Sequence, residues 1–180
     1  MPGDILMDYI FIHGAPGTGK STLAWALQAR FQSPCFEFGW IPEFRTRRNS
    51  TISYVEEEGL AFENLCLVLR NYVRHGFDRI IVTDLRDVIV RQLPRRFSRY
   101  RYLLFTLWVE DENELKARVL NQARSSGYRD WKEALDLNRT IRARKLMKHE
   151  VRLDSSRLSV EELADEVVKY VGLPDKVGNG

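Results

Sequence analysis

Five short apolar segments alternate along the chain with longer segments in which apolar residues recur every three or four positions. The first short segment, residues 9–13, is apolar or aromatic up to His13. This pattern is typical of a central parallel strand that is buried on both faces. Strands alternating with amphipathic helices predict a three-layer α/β fold around a five-stranded parallel sheet. The other predicted strands are residues 35–38, 79–83, 102–109 and 150–153.

Helical spacing between these strands predicts six helices. The last one has the clearest start, because Ser159 and Glu162 form a capping box before a regular apolar stripe. The second helix allows a break near Gly59, and Pro94 is expected to end the third. We expect one domain over residues 1–172 and a flexible tail over residues 173–180. The predicted helices are residues 20–31, 53–75, 86–93, 111–124, 131–145 and 159–171.

The turn after the first strand carries the pattern G-x-x-x-x-G-K-[ST] of a P-loop. Glycines at positions 17 and 19 allow the backbone to turn its N–H groups inward, and the helix that follows points its positive end at the same place. Lys20 would contact the β and γ phosphates as a mobile cation. We therefore expect a nucleoside triphosphate to bind the whole loop, which consists of Gly14, Ala15, Pro16, Gly17, Thr18, Gly19, Lys20, Ser21 and Thr22.

Two oxygen-bearing residues are candidates for holding Mg²⁺. Ser21 follows the P-loop lysine, where a hydroxyl can bind the metal. Asp84 follows the third strand, as the carboxylate of a Walker B element does, and it could hold the metal directly or through water. The alternative for Asp84 is that it caps the next helix.

Aromatic, acidic and basic residues are mixed in the segment after the second strand. Ligands of α/β sheets bind beyond the carboxyl ends of the strands, so we expect Trp40, Glu43 and Arg45 to line the site of a second substrate. Arg86 follows the third strand and could clamp an anionic group of that substrate. The alternatives are a surface loop with its aromatic residues packed on the core, and a solvated arginine at a helix start.

Residues 118–131 have the form of a lid, with an arginine-bearing Gly/Ser turn between two helices. A closed lid would exclude water from the reaction. The alternative is an αα-hairpin with an exposed basic tip.

Charge and cysteine content limit the classes of partner. The formal net charge of +3 is small and the charges are interspersed, so a nucleic-acid partner is not indicated, although residues 95–101 are basic and aromatic. Cys35 and Cys66 lack metal-ligand or redox spacing, which favours reduced thiols in the cytoplasm. We identify no signal peptide and no apolar run of membrane-spanning length.

With this motif and this order of elements, nearly the whole chain resembles the P-loop kinases related to nucleoside monophosphate kinases, including small members often labelled AAA-family ATPases. The resemblance implies a sheet order of 2-3-1-4-5 and a lid between the fourth and fifth strands. It implies that Glu37 accepts the acceptor's proton and that Arg124 and Arg129 contact phosphates. It also places four residues around adenine: Arg118, Ser155, Ser156 and Arg157.

After the third strand, nucleoside monophosphate kinases usually have Asp-Gly-Phe-Pro-Arg, whereas this chain has Asp84-Leu85-Arg86-Asp87. The class of acceptor is therefore left open.

The leading hypothesis is a kinase that uses ATP and Mg²⁺ to phosphorylate a small-molecule acceptor. Its catalytic residues would be Lys20, Glu37, Asp84, Arg124 and Arg129, with Asp84 as the alternative base to Glu37. The competing hypotheses are an NTPase or switch protein without a small acceptor and a polynucleotide end kinase. The sequence leaves the acceptor, the choice between ATP and GTP, and the oligomeric state open.

Overall fold

A computed structural model describes residues 7–41, 52–123 and 126–172. Its five strands form one sheet in which all neighbours are parallel, and numbered along the chain they lie in the order 2-3-1-4-5. The α/β class expected from the sequence and the strand order that the resemblance implies are both confirmed. The strands are β1 (Tyr9–Gly14), β2 (Cys35–Glu37), β3 (Ile80–Thr83), β4 (Tyr102–Trp108) and β5 (Glu150–Asp154).

Strand β1 lies at the centre of the sheet and pairs with β3 on one side and β4 on the other. All six of its residues are buried. Tyr9 and Phe11 belong to the core on one face of the sheet, whereas Ile10 and Ile12 belong to the core on the other face. This alternation, which follows from the two-residue repeat of a strand, fixes the position at which the chain leaves the sheet at Gly14.

Helices cover both faces of the sheet and extend beyond its carboxyl edge. The first and last helices pack against the face of Ile10 and Ile12, and the second to fourth helices pack against the opposite face. The fifth and sixth helices pack on each other around a smaller apolar cluster. The helices of the described residues are α1 (Lys20–Phe31), α2 (Tyr54–Arg74), α3 (Asp87–Val90), α4 (Leu93–Arg96), α5 (Glu112–Leu120), α6 (Trp131–Ala143) and α7 (Val160–Val171).

Three predicted helices differ from the observed ones. Helix α2 continues through Gly59, because a Ser53–Glu56 capping box starts it and its buried stripe is uninterrupted. The predicted helix over residues 86–93 is replaced by the single-turn helices α3 and α4, and Pro94 lies in the first turn of α4, where a missing N–H is tolerated. Helix α5 ends at Leu120 instead of position 124.

The described helices include none that combines the length and the apolar character needed to cross a bilayer. The predicted tail over residues 173–180 lies outside the described residues.

Candidate active site

The P-loop is held in a backbone conformation that its glycines make possible. The φ angles of Gly14, Gly17 and Gly19 are +148°, +90° and +92°. A Cβ on Gly14 would lie 2.5 Å from the Leu107 carbonyl oxygen, and one on Gly17 would lie 2.8 Å from Cγ2 of Val119. The loop is thus enclosed by β4 on one side and by α5 on the other, and there is no space for a side chain at either position.

Helix α1 begins at this loop without a side-chain cap. Gly19 occupies the cap position and has no side chain that could accept a hydrogen bond from the first N–H groups. Within the loop, Thr18 Oγ1 donates to the Ala15 carbonyl oxygen at 2.9 Å, and Lys20 Nζ donates to the same oxygen at 3.1 Å. The positive end of α1 is therefore available to an anion.

A cavity of about 690 Å³ opens from the P-loop, and we call it the P-loop cavity. The loop and the start of α1 form its polar end, and three aliphatic residues from the start of α7 and the turn before it lie in its wall. A wall with a polar end and an apolar part is suited to a phosphorylated molecule with a hydrophobic ring. The cavity is lined by Gly17, Thr18, Gly19, Lys20, Ser21, Thr22, Trp25, Arg118, Asn121, Ala123, Ser126, Ser155, Leu158, Ser159, Val160 and Leu163.

Arg118 connects α5 to the turn after β5 at the wall of this cavity. Its guanidinium donates to the Ser155 carbonyl oxygen at 2.9 Å and to Glu114 Oε1 at 2.6 Å. Ser155 is buried, and its hydroxyl donates to the Trp108 carbonyl oxygen at 3.2 Å. Two residues predicted to lie near adenine, Arg118 and Ser155, therefore lie together in one cavity wall.

The next two residues of that turn point elsewhere. The Ser156 hydroxyl donates to Asp154, and Arg157 forms ion pairs with Glu110 and with Asp154, the latter at 3.3 Å. Neither Ser156 nor Arg157 lines the P-loop cavity. The turn after β5 therefore contributes one of the three residues that the resemblance places near adenine.

A second cavity, of about 460 Å³, lies on the other side of Lys20, and we call it the Asp84 cavity. Its walls come from the end of β1, the segment after β3 and one face of α6. Lys20 lines both cavities, and its ammonium group donates to the Ala15 carbonyl oxygen between them in the P-loop at 3.1 Å. The second cavity is lined by His13, Gly14, Pro16, Lys20, Asp84, Leu85, Arg86, Asp87, Val88, Tyr128, Glu133, Asp136, Leu137 and Thr140.

Asp84 has a strained backbone, with a φ of +65° that is uncommon outside glycine. Desolvation by the surrounding protein raises the pKa of its carboxyl group, and the nearby Lys20 ammonium group acts in the opposite direction. The residue at the cap position of α3 is Arg86, so Asp84 does not cap that helix. Asp84 is therefore a carboxylate directed to the site rather than to helix capping.

Asp87 lies deeper in the same wall, in a set of charged groups. His13 Nε2 is 3.5 Å from Asp87 Oδ1, and Arg91 Nε is 2.7 Å from Asp87 Oδ2. Hydrogen bonding from His13 and the interactions with Arg91 hold the pKa of Asp87 well below its usual range. His13 is buried, as expected for a packing residue, but it also forms part of the cavity wall.

Arg86 lines the Asp84 cavity while its guanidinium is held by other groups. Nη1 lies 3.2 Å from Glu58 Oε1, and the guanidinium carbon is 5.6 Å from the centre of the Tyr54 ring. The carboxylate of Glu58 raises the pKa of Arg86 against the effect of its own desolvation.

Other predicted site residues in the described part of the chain line neither cavity. Glu37 ends β2 opposite Thr83, and Trp40 ends a short 3₁₀ helix (Phe38–Trp40) with 47% of its side chain exposed. Arg129 donates to the carbonyl oxygens of Ser126 and Tyr128 within the predicted lid. Glu43, Arg45 and Arg124 lie outside the described residues.

One face of α6 contributes to the Asp84 cavity and was missed from the sequence. Glu133, Asp136, Leu137 and Thr140 are spaced at i, i+3, i+4 and i+7, which places them in a row on one face of the helix. The Tyr128 hydroxyl donates to Glu133 Oε2 at 2.6 Å. This spacing is visible in the sequence, but the direction in which the face points is not.

The described residues contain no group of three His, Cys, Asp or Glu side chains that could hold a metal on their own. Mg²⁺ in phosphoryl-transfer sites is held by one or two protein oxygens together with phosphate oxygens. Ser21 and Asp84, on either side of Lys20, fit this type of site.

No known family profile matches the chain. Two curated relatives, from Psychrobacter cryohalolentis and Psychrobacter arcticus, are named as phosphoenolpyruvate synthase regulatory proteins, and each is 27% identical over 124 residues. The match covers 69% of this chain but 43% of each relative, so the chain aligns with less than half of their length.

Solved structures, including two that are named as kinases, share the fold over almost the whole chain. A sugar kinase from Janibacter sp. HTCC2649 has a TM-score of 0.66 at 16% identity, over 93% of this chain and 95% of that one. A gluconokinase from Sinorhizobium meliloti has a TM-score of 0.64 at 14% identity, over 91% and 90%. The tunicamycin resistance protein of Deinococcus radiodurans has a TM-score of 0.66 at 17% identity, over 93% and 97%. The chain therefore has the fold of P-loop kinases.

Proposed function

We propose that the protein transfers a phosphoryl group from ATP to a small-molecule acceptor in the presence of Mg²⁺. The observation that carries this proposal is the position of Lys20, which lines both the P-loop cavity and the Asp84 cavity. Phosphoryl transfer needs the acceptor oxygen roughly in line with the leaving oxygen of the donor, and catalysis is mainly positioning and charge neutralisation.

ATP would occupy the P-loop cavity with its triphosphate at the start of α1. The uncapped N–H groups of α1 and the ammonium group of Lys20 would contact the phosphates, and Thr22 lies beside them. Arg118 would pack on adenine, because it lies in the wall of the same cavity and is held there by Ser155 and Glu114.

Ser21 and Asp84 would hold Mg²⁺ directly or through water, and the metal would supply positive charge to the β and γ phosphates. Among the protein's own side chains, Lys20 would stabilise the phosphoryl group during its transfer. Arg124 and Arg129 of the lid would contact phosphate when the lid closes.

Asp84 is our candidate for the base that accepts the acceptor's proton. It lines the second cavity near Lys20, and it can accept the proton where Mg²⁺ is held through a water molecule rather than by the carboxylate itself. Glu37, the base that the resemblance implies, ends β2 opposite Thr83 and is the second candidate here, because it does not line the described cavity wall.

Substitution of Lys20 tests the proposal. ATP-dependent turnover of a panel of sugars, nucleosides, nucleotides and antibiotics would be followed by ADP release, and nucleotide affinity by calorimetry. We expect Lys20→Ala to lower turnover at least 100-fold and Lys20→Arg to recover little, because a forked guanidinium does not replace a compact ammonium group. Lys169→Ala on the exposed face of α7 is the control. Full transfer activity in Lys20→Ala would refute the proposal.

A nucleotide-dependent regulatory or switch protein is the second candidate, favoured by the similarity to the two curated regulatory proteins. In that case ATP binding would change association with a protein partner, and ATP turnover would not depend on any small acceptor. Acceptor-stimulated ADP release would support the kinase. A nucleotide-dependent change in partner binding, with no such stimulation, would support the switch.

A further inference from the structure

We propose that the acceptor is a hydroxyl-rich molecule that carries no phosphate group, an assignment that rests on the function proposed above. The wall of the Asp84 cavity is acidic. Carboxylates come from the segment after β3 and from α6, on two sides of the same space. They belong to Asp84, Asp87, Glu133 and Asp136.

The cations in this wall are engaged by other groups. Lys20 is assigned to the triphosphate. Arg86 has a side chain that is 56% exposed, and it is paired with Glu58, whose side chain is 10% exposed. Among the described residues of the wall, no other lysine or arginine is present to receive a phosphate on the acceptor.

Asp87 differs from the other three carboxylates because cations already surround it. Arg91 Nε is 2.7 Å from one carboxylate oxygen, and Arg144 Nε is 3.7 Å from the other. Asp87 is therefore a structural member of the wall, and recognition is left to Asp84, Glu133 and Asp136.

The two carboxylates of α6, on Glu133 and Asp136, each interact with one neighbouring side chain. Asp136 lies 3.1 Å from Arg139, which is itself bound by Glu112 outside the cavity wall. Glu133 already accepts a hydrogen bond from Tyr128. Since ionised carboxylates only accept hydrogen bonds, their natural ligands are hydroxyl and amine donors.

A phosphate group on the substrate, like the carboxylates of the wall, would accept hydrogen bonds and would carry a charge between −1 and −2 at neutral pH. It would lie beside like charges, which disfavours its binding. Tyr128, Val88 and Leu137 add apolar surface that fits the carbon skeleton of a sugar-like ring. The geometry thus favours a neutral or amine-bearing polyhydroxy compound over its phosphate ester.

Matched pairs of acceptors test this inference on the full chain with ATP and Mg²⁺. The pairs are glucose and glucose 6-phosphate, glucosamine and glucosamine 6-phosphate, adenosine and AMP, and glycerol and glycerol 3-phosphate. We expect ADP release to rise at least tenfold with one or more phosphate-free members. The matching phosphate ester should stimulate at least tenfold less. Preference for the ester would overturn the inference.

A charge reversal provides a second measurement. We expect Asp136→Lys to raise the KM of the preferred acceptor at least tenfold and to lower the KM of its phosphate ester at least threefold. Asp165→Lys is the matched control, because Asp165 is also an exposed carboxylate paired with an arginine but lies on α7. Equal effects of the two variants, or no change in the ester's KM with Asp136→Lys, would contradict the inference.

These outcomes separate the two levels of proposal. Failure to detect ATP binding to the wild-type chain would refute the proposed function itself. ATP binding with preference for phosphate esters would refute the acceptor class alone. ATP binding without stimulation by any member of the pairs would refute the acceptor class, and a nucleotide-dependent change in partner binding beside it would support the switch.

Discussion

Gly17 of the P-loop and Val119 of α5 are in direct contact, with no space between them for a methyl group. A Cβ built on Gly17 would approach Val119 Cγ2 to 2.8 Å and Leu115 Cδ1 to 3.1 Å. The helix that leads into the predicted lid is therefore packed on the loop expected to bind phosphate. A change in either surface is expected to affect the other.

Gly17→Ala tests this contact. Alanine at a φ of +90° is strained by about 1–2 kcal/mol, and the overlap with Val119 adds about 1–3 kcal/mol. We expect a lower midpoint of urea unfolding and at least tenfold weaker binding of ATP. In Gly17→Ala/Val119→Ala the overlap with Val119 is removed, so the double variant should lose less stability than the sum of the losses in Gly17→Ala and Val119→Ala. Losses that simply add would contradict the packing explanation.

Arg118 and Arg157 form a matched pair for testing nucleotide recognition. Both lie near the turn after β5, but Arg118 lines the P-loop cavity whereas Arg157 is 70% exposed and paired with Glu110. We expect Arg118→Ala to weaken ATP binding roughly tenfold, measured by calorimetry, because a charged contact contributes about 1.5–3 kcal/mol. Arg157→Ala should bind ATP like the wild type. Equal losses in both variants would move the adenine site towards the exposed side of the turn.

The pH dependence of turnover should report on Asp84. If Asp84 is the base, the active form is deprotonated, so kcat/KM should rise with pH through the raised pKa of Asp84 and then level off. We expect Asp84→Asn to lower kcat about 10²–10⁴-fold and to remove this acid limb. Glu37→Gln is the comparison. If the limb disappears in Glu37→Gln and persists in Asp84→Asn, the base is Glu37.

A buried ion pair behind the Asp84 cavity should matter for stability. Arg144 Nη1 and Nη2 each lie 2.7 Å from an oxygen of Glu150, whose side chain is fully buried, and these bonds lower the pKa of Glu150 against the effect of burial. We expect Arg144→Met to cost about 3–5 kcal/mol in the free energy of unfolding, since it removes the closest cation from a buried carboxylate and leaves Arg152 Nε at 3.8 Å. Arg144→Met/Glu150→Met should recover most of this loss in urea denaturation.

Arg139→Met is the control for that experiment, because Arg139 is exposed in its pair with Glu112. A small change in unfolding free energy is expected there. If Arg144→Met were equally mild, the pair with Glu150 would not be a buried structural contact.

Local sequence patterns were sufficient to predict the P-loop and most of the elements around it. The motif from Gly14 to Ser21 depends on spacing within one turn, and the burial of β1 follows from its own residues. The sheet order required the resemblance, because the pairing of β1 with β3 and β4 is a long-range property. The break that the sequence allowed near Gly59 is not observed, because a strong cap and a continuous apolar face outweigh the low helix propensity of one glycine.

The site was less predictable where it depends on the direction of a side chain. Ser155 and Arg157 are two residues apart, yet one is buried at the P-loop cavity and the other is turned outward by Glu110 and Asp154. The acidic face of α6 has clear helical spacing, but its position over the end of β1 is set by packing against α5. Propensity and spacing do not contain this information.

The open start of α1 means that the folded chain is incomplete in one respect when it is alone. The cap residue Gly19 has no side chain to accept hydrogen bonds from the first N–H groups of the helix, so a bound polyphosphate would supply the missing acceptors. A ligand that completes the native state, and has no site in the unfolded chain, shifts the unfolding equilibrium by about 2.7 kcal/mol at 100 times its dissociation constant. Heating the protein with and without nucleotide would thus reveal the ligand as a contributor to the fold as well as a reactant.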